Sequence, residues 1–168
     1  MNTTPNPHCY ETLNSYFNYD PENGIITWKI KRSNRKQAGS EAGLIDSNGY
    51  RRIKVSPKLY LAHRIAWLLY YKEWPDRLVD HINMDVSDNR ICNLRIATKS
   101  QNMMNTKKYK SNTSGYKGVY YKKREKCYIG NITINGERHM TKQYKTAEEA
   151  FESLKSIRSK LHKEFARY

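Results

Sequence analysis

Apolar positions along the 168-residue chain change period several times, and each change marks an element. Tyr10, Leu13, Tyr16 and Phe17 recur at helical spacing and predict a short helix over 10–17. Asp20-Pro21-Glu22-Asn23-Gly24 has the composition of a turn, and Ile25–Ile30 that of a strand. A basic, irregular stretch follows over 31–37, and glycines at 39 and 43 suggest a further turn region. Asn48-Gly49 is a hairpin signal ahead of a strand over 50–55. The run YLAHRIAWLLYY predicts a helix over 60–71, ended by Trp74-Pro75. A short apolar strand over 79–83, a polar loop over 84–92 and a strand over 94–97 come next. Thr98-Lys99-Ser100-Gln101 has the form of a capping box, which starts a helix and puts Asn102 in its first turn.

Residues 103–115 (MMNTKKYKSNTSG) have linker composition, with little to bury. Beyond them, 118–122, 126–134 and 137–144 predict three strands, the last two joined by Asn135-Gly136. A second capping box, Thr146 to Glu149, opens a helix with an apolar stripe at 147, 150, 151, 154, 157 and 161. The whole reads as an α+β chain: a βα region, a central pair of strands with a helix, and a C-terminal three-stranded antiparallel sheet packed on one helix.

Charge adds a second layer. Residues 1–60 hold 9 basic and 5 acidic side chains, residues 61–104 hold 6 and 5, and residues 105–168 hold 16 and 6, within a formal net charge of +15. A nearly neutral centre between basic arms fits a catalytic unit held on a polyanion by its flanks. Tyr (14) far outnumbers Phe (3), so any core is small. Cys9, Cys92 and Cys127 lie far apart, with no Cys-x-x-Cys and no Cys/His cluster, which argues against structural zinc and a disulfide framework. No stretch reaches the ~20 apolar residues of a membrane span. Met1–His8 has no apolar signal core, so the chain reads as intracellular and not secreted.

The central neutral segment carries the chemistry. Asp80 and His81 are adjacent at the end of a strand, where neighbours point to opposite faces. One can hold a metal while the other meets a water. Asn93 follows His81 by twelve residues and Asn102 lies nine further on. Hydrolysis of a phosphodiester needs a nucleophilic water, neutralisation of the phosphate and help for the leaving oxygen. One hard divalent cation on protein oxygens supplies the last two, and a neutral His takes the proton from water. Asp80 and Asn102 suit the metal, His81 the base, and Asn93 a supporting role that fixes the loop or the backbone near His81. Asn89 is a rival to Asn93 for that role. His63, on an apolar helix, reads as packing, and the neighbouring Arg64 as a candidate phosphate clamp.

The stretch VDHINMDVSDNRICNLRIATKSQN resembles the HNH endonucleases. The resemblance implies two antiparallel strands and a helix around one metal ion, Mg²⁺ or Mn²⁺. It also implies His81 as general base, Asp80 and Asn102 as ligands and Asn93 as the structural asparagine. Asn102 stands where many members have His, as in some phage homing endonucleases. The turn Tyr19–Gly24, the strand ending in Trp28, Asn48-Gly49-Tyr50 and Leu61-Ala62-His63-Arg64 also resemble phage HNH proteins. Ser114–Tyr120 and Tyr144–Ala150 resemble the apetala-type (ethylene-response) DNA-binding domain, which lays a three-stranded sheet in the major groove. The resemblances divide the chain into a nuclease domain over 1–104 (ββα-metal core about 76–104), a basic linker over 105–115, and a DNA reader over 116–168.

Strand parity puts Tyr128, Gly130, Ile132 and Ile134 on one face, with Gly130 admitting the helix. The other face presents Asn131 and Thr133, joined under the resemblance by Tyr120 and Lys122, and by Arg138, Met140 and Lys142. Lys117 and Arg124 flank the first strand, and Lys107, Lys108 and Lys110 lie in the linker. All are candidate DNA contacts: Arg and Asn for base edges, Lys for phosphates. The expected protein is a DNA endonuclease of homing type in the cytoplasm of a phage-infected bacterium. It would bind double-stranded DNA as a monomer and nick one strand. The rivals are a DNA-binding regulator with an inactive HNH unit, and a structure-specific phage nuclease.

Overall fold

A computed structural model describes residues 8–34, 36–105, 111–134 and 136–162. They form two compact units, divided between Ala97 and Thr98.

In the first unit, helix α1 (Tyr10–Tyr16) passes directly into strand β1 (Phe17–Asp20), which pairs antiparallel with β2 (Ile25–Trp28). The helical spacing of 10–17 holds only to Tyr16. Phe17 takes extended angles (φ −127°, ψ 144°) because its partner across the hairpin is Trp28, and the two rings lie 4.6 Å apart. Tertiary pairing overrides local periodicity here. Strands β3 (Leu44–Ile45), β4 (Arg51–Val55) and β5 (Lys58–Leu61) form a second sheet, with β4 in the middle. The Asn48-Gly49 turn is closed by Asp46, whose carboxylate accepts from the amides of Asn48 and Tyr50.

Helix α2 (Ala62–Tyr71) begins two residues later than its apolar run, because Tyr60 and Leu61 complete the β4–β5 ladder. It stops at Lys72, whose left-handed backbone (φ 63°) closes the last turn on the carbonyl of Leu68. Its inner face, Ala62, Ile65, Ala66 and Leu68, is buried with Leu13, Phe17, Ile26, Trp28 and Ile53 in one core. Fully burying each large apolar side chain stabilises the fold by about 1.5–3 kcal/mol. Strands β6 (Leu78–His81) and β7 (Leu94–Ala97) close the unit as an antiparallel pair, joined through a polar loop and a 3₁₀ turn at Ile91–Asn93.

The second unit opens with helix α3 (Lys99–Met104). Its capping box forms as the sequence predicts: Thr98 Oγ1 accepts from the Gln101 amide, and Gln101 Oε1 accepts from the Thr98 amide. Strands β8 (Val119–Lys122), β9 (Cys127–Ile134) and β10 (Glu137–Met140) make an antiparallel sheet with β9 central, packed on helix α4 (Ala147–His162). Val119, Ile132, Ala150 and Leu154 form its core. Gly130 faces α4 so closely that a Cβ there would lie 2.9 Å from Leu154 Cβ and 3.1 Å from the carbonyl of Ala150. The Thr146–Glu149 capping box is also formed.

The third strand is shorter than its composition suggests. Thr141 Oγ1, rather than a backbone carbonyl, accepts from the Gly130 amide while the Thr141 amide donates to the Gly130 carbonyl, and beyond it the chain meets β9 again at the Tyr144–Tyr128 bridge. Lys142 therefore lies beyond β10 rather than on it. The apolar stripe of α4 also ends early, since Leu161 is exposed.

Candidate active site and nucleic-acid interface

Strand β6 presents Asp80 and His81 in register with Arg95 and Leu94 of β7. Both are nearly fully buried. Arg95 donates from Nε to Asp80 Oδ2 at 3.0 Å and forms an ion pair with the same oxygen through Nη2 at 2.9 Å, so the cross-strand pair holds that carboxylate in a fixed place.

The loop after His81 is tied by its own short polar side chains. Asn93 Oδ1 accepts from the Asn83 amide (2.9 Å), and its Nδ2 donates to the carbonyl of Asp88 (2.8 Å). Asn83 Oδ1 accepts from the Asp85 amide, and Asp85 Oδ1 from the Ser87 amide. Arg90 closes on Asp88 through Nη2 at 2.6 Å, and that pairing is the first cause that brings the Asp88 carboxyl down to about 2. A loop of a dozen residues thereby acquires a defined shape without a core of its own. Asn93 touches two backbone groups of the loop.

His81 is enclosed on three sides. Its Nε2 lies 3.2 Å from Asn89 Oδ1. The His63 ring, from α2, stands edge-on at 4.9 Å between centroids and 84°, and the Tyr50 ring is 6.1 Å away. Burial lowers the basicity of His81 below the ordinary histidine value, opposed by the hydrogen bond with Asn89 and by Asp80. His63 is displaced much further, to about 3, by burial first and by His81 and Arg64 after it. Burial thus disfavours the charged form of both rings, and of His63 the more strongly.

Arg64, expected as a phosphate clamp, donates to the carbonyls of Arg77 (2.9 Å) and Pro75 (3.2 Å) and lies over the Trp74 ring. In this arrangement its guanidinium ties α2 to the segment leading into β6. Asn102 is the fourth residue of α3, in the second unit. Among the described residues, no three His, Cys, Asp or Glu side chains gather as a metal site. A buried carboxylate such as Asp80 is an oxygen donor of the kind that suits a hard divalent ion.

The sheet of the second unit has the faces that parity predicts. Tyr120 and Lys122 pair with Ile129 and Cys127, Arg138 with Thr133, and Met140 with Asn131, so these side chains leave from the side opposite α4. Thr133, Arg138 and Met140 are exposed, as are Arg124 in the β8–β9 turn and Lys142 after β10. Lys122 pairs with Glu125 across the turn (2.8 Å), and Lys117 is half-buried ahead of β8. Lys107, Lys108 and Lys110 lie outside the described residues.

Sequence reading missed Arg95 and the enclosure of His81 by His63 and Tyr50. The alternation of β7 held a signal for the first, because pairing His81 with Leu94 puts Arg95 opposite Asp80. Nothing local signals Tyr50, which is thirty-one residues away.

A family model described as HNH endonuclease matches residues 60–104. Protein 3.8 of Escherichia phage T7 is 33% identical over 90 residues, covering 54% of this chain and 74% of that protein. The uncharacterized HNH endonuclease L560 of Acanthamoeba polyphaga mimivirus is 37% identical over 91 residues, covering 54% of this chain and 46% of its own length. A solved structure titled for DNA binding and cleavage by the HNH homing endonuclease I-HmuI aligns over 88% of this chain and 86% of that one, at 21% identity and a TM-score of 0.43. The chain carries an HNH endonuclease domain, within which His81, Asn89 and Asn93 all fall. It belongs to the same family as T7 protein 3.8.

Proposed function

We propose that this protein is a metal-dependent DNA endonuclease that hydrolyses one phosphodiester per active site, leaving a nick. The observation that carries the reading is a buried His81 held beside the anchored carboxylate of Asp80, inside the segment that matches the HNH endonuclease model. His81 accepts the proton of the attacking water. Burial keeps its imidazole unprotonated near neutral pH, the state a general base needs. Asp80 and Asn102 are the oxygen donors that would hold a single Mg²⁺ or Mn²⁺. When bound, such an ion neutralises charge on the phosphate and assists the leaving 3′ oxygen. Asn93 fixes the loop between the base and β7 through its two backbone hydrogen bonds.

The second unit binds double-stranded DNA through the face of its sheet opposite α4. Asn131, Thr133, Arg138 and Tyr120 read base edges, while Lys117, Lys122, Arg124 and Lys142 meet phosphates, with Lys107, Lys108 and Lys110 of the linker along the backbone. The net charge of +15 supports a polyanionic partner. One active site per chain favours action as a monomer, at a chosen sequence in the manner of a homing enzyme. No described helix is long and apolar enough to cross a membrane, and the working place proposed is the cytoplasm of an infected bacterium.

The test is cleavage of phage genomic DNA by the protein and by His81→Ala, with Mg²⁺, with Mn²⁺ and with EDTA, resolved on native and denaturing gels. Discrete metal-dependent products absent from the variant support the nuclease, and products seen only under denaturing conditions support nicking. Tight DNA binding with no cleavage under any condition would establish the DNA-binding regulator instead.

A further inference from the structure

We infer that Asn89 is a positioning residue that fixes the tautomer of His81, placing the proton on Nε2 and leaving Nδ1 as the basic atom. The inference rests on the proposed role of His81 as general base. The carboxamide has only two orientations, and its surroundings choose between them. Asn89 Nδ2 donates to the carbonyl of Ser87 (3.3 Å), while Oδ1 faces His81 Nε2 at 3.2 Å. Flipping the amide would set its oxygen against the Ser87 carbonyl, two acceptors face to face with no proton between them. An amide oxygen can only accept, so His81 Nε2 must carry a hydrogen. In a neutral imidazole the lone pair is then on Nδ1.

The side chain that makes this choice is itself held in place. Asn89 is 3% exposed. Its carbonyl accepts from the Tyr19 hydroxyl at 2.7 Å, seventy residues away in sequence. The next backbone amide but one, Ile91, donates to the carbonyl of Pro21 (3.1 Å). The β1–β2 turn comes so close that a Cβ on Gly24 would lie 2.6 Å from the Asn89 carbonyl carbon and 2.5 Å from the Arg90 nitrogen. The hairpin thus forms a wall behind Asn89, and Asn89 an acceptor behind the base. Opposite roles follow for two asparagines four residues apart: Asn93 shapes the loop backbone, and Asn89 sets which nitrogen of His81 can take a proton.

The experiment is ¹⁵N NMR of the histidine ring nitrogens in the full chain without metal, near pH 7.5, where a neutral ring reports its tautomer. In the wild type, His81 Nε2 is expected as the protonated nitrogen, with its proton slow to exchange with water, and Nδ1 as the unprotonated one. Asn89→Leu removes the acceptor, and the Nε2 proton should broaden into exchange. Single-turnover cleavage should fall about 10- to 100-fold in Asn89→Leu with DNA affinity unchanged. A wild-type His81 protonated on Nδ1, or a Leu variant with an unaltered Nε2 proton, overturns the assignment. The wild-type spectrum decides it even if the Leu variant fails to fold. The predicted tautomer in a protein that cleaves nothing would leave Asn89 as assigned and remove the nuclease reading alone.

Discussion

Acidifying the protein from about pH 7.5 to about pH 5 should destabilise its first unit by about 2 kcal/mol through His63 alone. The sign follows from where the proton can go. An unfolded histidine titrates at 6.5, whereas the buried ring is held to about 3. Between those values the unfolded chain binds a proton that the folded chain excludes. Stability is therefore complete above the unfolded value and is lost as pH falls, at about 1.36 kcal/mol per pH unit once unfolded His63 is protonated. Integrated over one and a half units below 6.5, that gives about 2 kcal/mol. His81, also lowered, adds in the same direction. Asp20, Asp46, Asp85 and Asp88 titrate below their ordinary value of 3.8 when folded, so they stay outside this window. The assay is urea denaturation followed by tryptophan fluorescence, since Trp28, Trp67 and Trp74 all lie in the first unit. His63→Phe keeps a flat ring against His81 and Tyr50 and removes the titration. Repacking a larger ring can cost about 1–3 kcal/mol at every pH, so the slope and not the absolute stability is compared. A wild-type difference below about 0.5 kcal/mol between the two pH values, or an equal slope in His63→Phe, would refute the buried-neutral account.

Gly24→Ala forces a Cβ into the Asn89–Arg90 backbone at a residue with φ +73°, and should lower the stability of the first unit by about 2 kcal/mol or more, read by the same denaturation. Gly130→Ala meets Leu154 and the Ala150 carbonyl, and should cost about 1–3 kcal/mol in the second unit, read by thermal melting of its helix in circular dichroism. Arg138→Ala combined with Lys142→Ala should weaken DNA binding and reduce the slope of log affinity against log salt by about 0.9 for each phosphate no longer neutralised, measured by fluorescence anisotropy. An unchanged slope would move the DNA-binding surface off this face.

Much of the second unit was legible because its devices are local. Both capping boxes and the alternation of β9 depend on residues within a few positions of one another. Asp80, His81, Asn93 and Asn102 stood out for a similar reason, being set at fixed spacing around one strand pair. What escaped was whatever required a partner from elsewhere in the chain. Phe17 abandons its helical period to pair with Trp28. The apolar run from Tyr60 yields two residues to a sheet edge. Thr141, just past the end of β10, takes the amide of Gly130 with its hydroxyl. Around His81 and Asn89, Tyr50, His63 and Tyr19 arrive from three separate parts of the chain, and no window of sequence contains them together with His81.

That dependence on distant parts bears on how far the nuclease motif could be transplanted. The segment matching the HNH model begins at residue 60, yet the Tyr19 hydroxyl, the Gly24 turn and the Tyr50 ring that hem in Asn89 and His81 all precede it. A cassette cut at that boundary would carry the signature residues and leave behind the wall they lean on. Grafts of this segment onto another scaffold should start upstream of α1, so that the hairpin travels with His81.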